Sequence, residues 1–241
     1  MRTLIPRPKL SEATLKKLAK KTQQILKAAD KKAEADSVYA SSRTTAWFAP
    51  IITELSKIAG AGQHCFFCSG GEASQVEHFK PKAIFPADSM TWENFTWSCA
   101  LCNQYKSAKF ESDPETAFIN PLEENVWTYF LLDQFGNLSP RWIVEENRLH
   151  PRAVETEAAL HLRRQAMQER RQARHASLAQ HVRDSLTLFK LKEIDKPELL
   201  KRYKAWKVEA LQPDVADYFL GGPGRDKAPF NELLAILADS I

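Results

Sequence analysis

Long hydrophobic runs are absent from this sequence of 241 residues. No stretch reaches the roughly 18–20 consecutive apolar residues that a membrane-spanning helix requires. The first residues, MRTLIPRPKLSEATLKK, also lack the apolar core of about 7–15 residues that a signal peptide carries. We therefore expect a cytoplasmic protein that has no membrane partner.

Low-complexity segments and internal repeats are missing as well. Hydrophobic residues make up 44% of the chain and charged residues 27%, which is an ordinary globular mixture rather than a disordered one. The formal net charge of +4 suits a nucleic-acid partner. Solvated basic helices give the same balance, so composition alone leaves the partner open.

Cysteine is scarce: the chain has four, and all of them lie in two C-x-x-C pairs. These pairs are Cys65 with Cys68 and Cys99 with Cys102. A reducing cytosol argues against two disulfides, whereas two such pairs suit one tetrahedral zinc ion. Redox-active or incidental thiols are the alternative. Because four cysteines leave no open coordination position, we expect this zinc to be structural rather than catalytic.

Helical periodicity covers most of the remaining chain. The pattern predicts helices at 11–36, with Ser11 as its N-cap, and at 50–58, 196–211 and 226–239. Two strand-like runs, 126–133 and 138–144, flank the turn sequence QFGN and predict a β-hairpin.

From Pro151 onward the pattern predicts one or two long helices with few breakers. Their buried stripe is predicted to consist of Ala158, Leu162, Ala166, Leu178, Val182 and Leu186. The arginines are expected on the remaining faces: Arg163, Arg164, Arg170, Arg171 and Arg174.

The segment between the cysteine pairs carries the candidate chemistry. SQVEHF reads as a short strand, in which alternation places Glu77 and His78 on opposite faces unless the strand ends or bulges there. FTWSC at 95–99 reads as a second strand, and 100–110 as a helix. On that helix Asn103 and Lys106 are three residues apart and share a face.

The complete pattern resembles the HNH endonucleases, which have the ββα-metal fold. Its carriers are the first cysteine pair, VEHFKPK at 76–82, Asn94, and C-x-x-C-N-x-x-K at 99–106. A looser resemblance, carried by W-x-N-F-x-x-S-C, INPLEENVW and RLHPRAVETEAALHLRRQAMQERR, extends to the PtuB-like HNH proteins of Septu and retron-associated antiphage systems.

The resemblance implies a role for each matching residue. His78 matches the general base that takes a proton from the attacking water. Glu77 and Asn103 match the protein ligands of a catalytic metal, where other members more often have Asp and His. Oxygen donors of this kind favour Mg²⁺ or Mn²⁺. Asn94 matches the residue that braces the loop and orients the histidine.

Four lysines surround the proposed site and are candidates for holding phosphates: Lys80, Lys82, Lys106 and Lys109. Each taken alone reads as an ordinary surface lysine, so the prediction rests on the cluster.

We thus expect a mainly α protein with a small ββα-metal module, of α+β class. The expected regions are a helical segment at 1–62, the HNH module at 63–110, and a hairpin with further helices at 111–241. The predicted function is an endonuclease, with DNA favoured, that works beside an ATPase partner in antiviral defence. An RNA nuclease of the same chemistry and a non-cleaving zinc-stabilised binding module are the alternatives.

Overall fold

The computed structural model describes residues 7–208 and 213–241. Within these ranges the chain is mainly helical with a small β component, which confirms the predicted class. The helices are α1 (Glu12–Lys27), α2 (Lys31–Ser42), α3 (Ala49–Ala59), α4 (Ala100–Lys106), α5 (Pro151–Leu160), α6 (Gln165–Lys190), α7 (Lys196–Val208), α8 (Pro213–Leu220) and α9 (Phe230–Leu237). The strands are β1 (Gln75–His78), β2 (Phe95–Ser98), β3 (Phe130–Leu132), β4 (Leu138–Pro140), β5 (Trp142–Ile143) and β6 (Arg148–Leu149).

The predicted helix at 11–36 is two helices. Ser11 caps α1 as predicted, since its hydroxyl accepts a hydrogen bond from the backbone N–H of Thr14 at 3.3 Å. The chain then leaves the helix at Ala28, which is extended. Asp30 starts α2 by accepting a hydrogen bond from the N–H of Ala33 at 3.0 Å. A second N-cap satisfies backbone donors that the break would otherwise expose.

A two-stranded sheet and one short helix form the centre of the N-terminal half. β1 and β2 are antiparallel, with Glu77 opposite Thr96 and His78 opposite Phe95. All four residues of β2 are buried, and α3 packs on this strand. α4 begins two residues after β2 ends, so the order is strand, loop, strand, helix, as the sequence predicts.

The predicted hairpin after residue 126 is present but shorter. β3 and β4 are antiparallel, whereas Val126–Thr128 forms a 3₁₀ turn instead of strand. Gly136, in the connecting loop, has a φ of +81° and rests directly on α6. A Cβ at this position would collide with the carbonyl oxygen of Gln168, so both the backbone conformation and the close approach require glycine.

The predicted stripe in the C-terminal helices is only partly correct. Four of its members are buried, namely Leu162, Leu178, Val182 and Leu186, whereas Ala158 and Ala166 are exposed. The helix breaks at His161, which has a left-handed φ of 49° and ends α5. This break resets the helical phase, so residues on its two sides do not form one continuous stripe.

The prediction that Arg171 lies on an outer face is wrong. Its side chain is fully buried, and its Nε donates to Asp214 Oδ2 at 3.0 Å. One Nη donates to the carbonyl oxygen of Leu162 at 2.9 Å. Asp214 reaches this position from the first turn of α8, a helix that the sequence analysis did not predict.

Of the last two predicted helices, only the second is shorter than expected. The first is present as α7 up to Val208, and residues 209–211 of that prediction lie outside the described residues. α9 covers Phe230–Leu237 and is flanked by 3₁₀ turns. The buried hydrophobic side chains of the described residues form one cluster from Leu10 to Leu237. Among the described helices, none has the length and apolar character needed to cross a membrane.

Candidate functional site

The four cysteines converge, although Cys68 and Cys99 are 31 positions apart in the sequence. All four Sγ atoms lie within 4.8 Å of one another, and Cys68 Sγ is 3.9 Å from Cys99 Sγ. Tetrahedral zinc binds sulfur at about 2.3 Å, which puts neighbouring sulfurs about 3.8 Å apart. The four thiols form no disulfide, and their arrangement is compatible with a zinc site.

Backbone hydrogen bonds prepare this cluster for a cation. The N–H of Gly70 donates to Cys68 Sγ at 3.4 Å, and the N–H of Cys102 donates to Cys99 Sγ at 3.5 Å. Cys99 is also the N-cap of α4. Hydrogen bonds from Cys102 and Cys65 lower the pKa of Cys99 to about 7. Thiolate is the form that binds metal, and the two backbone N–H groups stabilise it at Cys68 and Cys99, whereas burial raises the pKa of Cys65.

The C-terminal half contributes arginines to the same cluster. Nη2 of Arg164, which is the N-cap residue of α6, lies 3.9 Å from Cys102 Sγ. Burial lowers the pKa of Arg164, but the cysteines at 102 and 68 outweigh it and raise the pKa overall. Arg170 lies close by, since a Cβ on Gly70 would be 3.3 Å from its Nη1. Four thiolates around one divalent ion leave negative charge, which these guanidinium groups offset.

A cavity of 540 Å³ lies on the other side of β1 and α4. Three of the four predicted catalytic residues line it, namely Glu77, His78 and Asn103, and so does the predicted phosphate-binding residue Lys82. Glu77 and His78 share the cavity although they are neighbours in a strand, because His78 is the last residue of β1, where the regular alternation ends. The opposite wall comes from α2, α3 and the turn between them: Tyr39, Arg43, Thr44, Phe48 and Ile52.

His78 is buried and held in one tautomer. Its Nε2 lies 2.9 Å from the carbonyl oxygen of Ser89, and because a carbonyl only accepts, Nε2 carries the proton. Nδ1 is therefore the free basic nitrogen. The ring of Tyr39 packs edge-on against the imidazole at a centroid distance of 4.6 Å. Burial, assisted by Lys82 and Lys106, lowers the pKa of His78 to about 4, so the ring is neutral at pH 7.

Glu77 lies beside a buried ammonium group. Lys106 Nζ is 3.7 Å from Glu77 Oε1 and donates to the carbonyl oxygen of His78 at 2.7 Å. Burial raises the pKa of Glu77 and lowers that of Lys106, while each charge opposes the shift of the other. Lys106 is only 1% exposed, so the view of it as an ordinary surface lysine is wrong.

Asn94 holds the loop between the two strands. Its Nδ2 donates to the carbonyl oxygens of Lys80 and Asp88, both at 3.0 Å. Its Oδ1 accepts from the N–H of Lys80 at 2.7 Å. Asp88 precedes Ser89, whose carbonyl binds the imidazole of His78. Asn94 therefore fixes the segment that orients the histidine, and it is buried outside the cavity lining.

Asn103 follows the last cysteine directly and lies in the first half of α4. Its Nδ2 donates to Gln75 Oε1 at 2.7 Å. The amide is thus oriented by a hydrogen bond on its nitrogen, and its carbonyl oxygen is the atom suited to bind a cation.

The other three predicted phosphate-binding lysines lie in different surroundings. Lys82 lines the cavity and forms an ion pair with Asp36 of α2. Lys80 pairs with Asp88 at 3.2 Å. Lys109 is exposed and lines a separate depression that also contains Glu111.

No family model matches this chain. A search of the curated proteins likewise finds no match. The interpretation of the site therefore rests on its own geometry and on the sequence pattern. Across the described ranges, the only group of three or more His, Cys, Asp and Glu side chains arranged to hold a metal is the cysteine cluster.

The sequence pattern missed the part of the site that lies outside the ββα module. Tyr39 and Arg43 belong to the N-terminal helices, and Arg164 to the C-terminal half. No local signal marks them, because an aromatic or basic residue in a helix has the same appearance wherever that helix packs.

Proposed function

We propose that this chain is a metal-dependent endonuclease that hydrolyses phosphodiester bonds by HNH-type chemistry. The observation that carries the proposal is the meeting of Glu77, His78 and Asn103 at one cavity. A strand, a loop, a second strand and a helix bring these residues together, and the cysteine cluster joins the segment before β1 to the start of α4.

His78 is the proposed general base. Its Nδ1 takes a proton from a water molecule, which then attacks the phosphorus atom. The hydrogen bond from Nε2 to Ser89 keeps Nδ1 unprotonated and fixes the ring orientation. An unperturbed imidazole has a pKa near 6.5, whereas burial lowers that of His78 to about 4, so the ring is already in the basic form at neutral pH. Asn94 supports this geometry through the loop that contains Asp88.

The carboxylate of Glu77 and the amide oxygen of Asn103 are the proposed metal ligands. Mg²⁺ and Mn²⁺ accept two such oxygen donors and keep several waters. When bound, the cation stabilises negative charge on the scissile phosphate and on the leaving 3′ oxygen. Lys106 holds the Glu77 carboxylate and the His78 peptide from the buried side.

DNA is the proposed substrate, because the resemblance is to DNA-cleaving nucleases. The same chemistry does not depend on whether the sugar is ribose or deoxyribose, so RNA is the competing substrate. An ATPase partner and a role in antiviral defence rest on the resemblance to PtuB-like proteins alone. The zinc proposed for the cysteine cluster has no chemical step in this mechanism.

Cleavage assays test this proposal directly. The purified protein, alone and with the product of a neighbouring ATPase gene, is incubated with plasmid DNA, single-stranded DNA and total RNA. Each substrate is tested with Mg²⁺, with Mn²⁺ and without added divalent cation. We expect nicking or linearisation that needs the cation and is lost in His78→Ala.

Arg183→Ala is the matched control, because Arg183 is exposed on α6. Circular dichroism and zinc content establish that both variants remain folded. Cleavage by folded His78→Ala at the wild-type rate would refute the mechanism. Nucleic-acid binding without cleavage under all these conditions would instead favour the binding module.

A further inference from the structure

The cavity wall opposite the ββα module contains a basic residue that the proposed mechanism does not use. Arg43 is the C-cap residue of α2 and lines the cavity together with Thr44. Its side chain is exposed. It faces a cavity whose other wall contains Glu77, His78 and Asn103.

The charges around the cavity distinguish Arg43 from the other basic residues there. Lys82 is paired with Asp36, and Lys106 lies against Glu77. In the part of the chain that the structure describes, no carboxylate forms an ion pair with Arg43. An arginine without an acidic partner beside a cavity is available to a ligand that brings its own negative charge.

Arg43 also lies near the strand that carries the proposed catalytic residues. Its charge acts on the phenol of Tyr39, lowering a pKa that burial and Glu77 raise to about 12. The hydroxyl of Tyr39 donates to the carbonyl oxygen of Val76 at 2.8 Å, one residue before Glu77. Arg43 is thus connected to β1 through a single side chain.

The position of Arg43 at the end of α2 does not explain why its guanidinium group lies at the cavity. A cation at a helix C-terminus is stabilised by the macrodipole wherever on the last turn it lies. The cap hydrogen bond, from the Arg43 N–H to the carbonyl oxygen of Tyr39, uses only the backbone. Among the described residues, none forms a hydrogen bond or an ion pair with the guanidinium group, which is available to another partner.

We propose that Arg43 binds a phosphate group of the nucleic-acid strand that occupies this cavity, next to the bond to be cleaved. The inference rests on the proposed nuclease function. Guanidinium binds phosphate oxygens through two parallel hydrogen bonds. Such a contact fixes the orientation of the strand and also offsets the negative charge of the phosphate. The 540 Å³ cavity falls in the range of about 300–1,000 Å³ that is typical of ligand sites.

The consequence is that the N-terminal helices form part of the substrate site. The ββα module supplies the reacting groups, and the turn between α2 and α3 supplies a contact to a neighbouring phosphate.

Binding measurements on the full chain test the inference. Fluorescently labelled single-stranded and duplex DNA, and a labelled RNA, are titrated with wild type, Arg43→Ala, Arg43→Lys and Arg183→Ala. Magnesium is omitted, so that cleavage does not interfere, and salt is varied. We expect Arg43→Ala to weaken binding roughly tenfold at low salt. It should also reduce the slope of log Kd against log salt by about one, the value for one phosphate contact.

Kinetics with magnesium supply a second readout. We expect Arg43→Ala to raise KM far more than it lowers kcat, since the residue binds a part of the strand that does not react. Arg43→Lys should keep the salt slope and lose part of the affinity. Equal affinity and equal slope for Arg43→Ala and Arg183→Ala, with wild-type cleavage intact, would overturn this inference and leave the nuclease proposal standing. Absence of both binding and cleavage in the wild type would overturn both.

Discussion

The buried imidazole of His78 should make the protein sensitive to acid. Its pKa is lowered from 6.5 to about 4 in the folded chain, so the unfolded chain binds a proton more readily. Above pH 6.5 neither state is protonated, and the full stability is present. As the pH falls from 6.5 toward 4, unfolding is increasingly favoured. A difference of about 2.5 in pKa corresponds to about 3 kcal/mol at the acid limit, and to about 2 kcal/mol between pH 7 and pH 5.

The variant His78→Gln isolates this contribution. Glutamine does not titrate, and its amide can still donate to the carbonyl oxygen of Ser89. Urea unfolding followed by tryptophan fluorescence gives the free energy of unfolding at pH 7, 6 and 5 for both proteins. All other ionisable groups are the same in both proteins, so their contributions largely cancel. We expect the wild type to lose about 2 kcal/mol more than the variant. Parallel pH dependence in the two proteins would show that His78 is not held neutral by burial.

Three further outcomes follow from the contacts described above. Cys99→Ser should lower bound zinc, measured by elemental analysis, to below one ion per chain and cost at least about 3 kcal/mol of stability. Arg171→Met should cost about 3–5 kcal/mol in urea unfolding, because it removes the guanidinium group that pairs with the buried carboxylate of Asp214. Combining it with Asp214→Leu should recover most of this loss, and equal stability of the single and double variants would contradict the prediction. Asn94→Ala should abolish Mg²⁺-dependent cleavage and lower the melting temperature, whereas wild-type values for both would remove Asn94 from the site.

The sequence predicts those parts of the fold that depend on neighbouring residues. The Ser11 cap, the hairpin around QFGN and the strand–loop–strand–helix order are all local patterns. The break at Ala28 has no such local pattern, because an alanine-rich run with no glycine or proline predicts a continuous helix. The burial of Arg171 is not encoded by neighbouring residues either, since its partner Asp214 lies 43 positions away. Only tertiary packing determines whether such an arginine pairs inside the core or faces water.

The candidate site likewise contains residues that local spacing predicts and residues that only tertiary packing brings in. Glu77, His78 and Asn103 are found from spacing, since the two cysteine pairs limit how the intervening chain can fold. Lys106 belongs to the same pattern, yet its burial depends on the packing of α4 against β1. Tyr39 and Arg43 become part of the site only because α2 lies across the sheet, and no spacing within the module encodes that contact.

The cysteine cluster and the cavity are coupled through α4, and the coupling has a direction. Cys99 and Cys102 hold the start of this helix, Asn103 follows at the next position, and Lys106 lies one turn further on. A metal on the cysteines therefore fixes the helix that presents both residues to Glu77 and His78. The described polar side-chain contacts of Glu77, His78 and Asn103 go to Lys106, to the carbonyl oxygen of Ser89 and to Gln75, and not to a cysteine. Loss of the metal should consequently disturb the cavity, whereas substitutions of these three side chains should leave the metal in place.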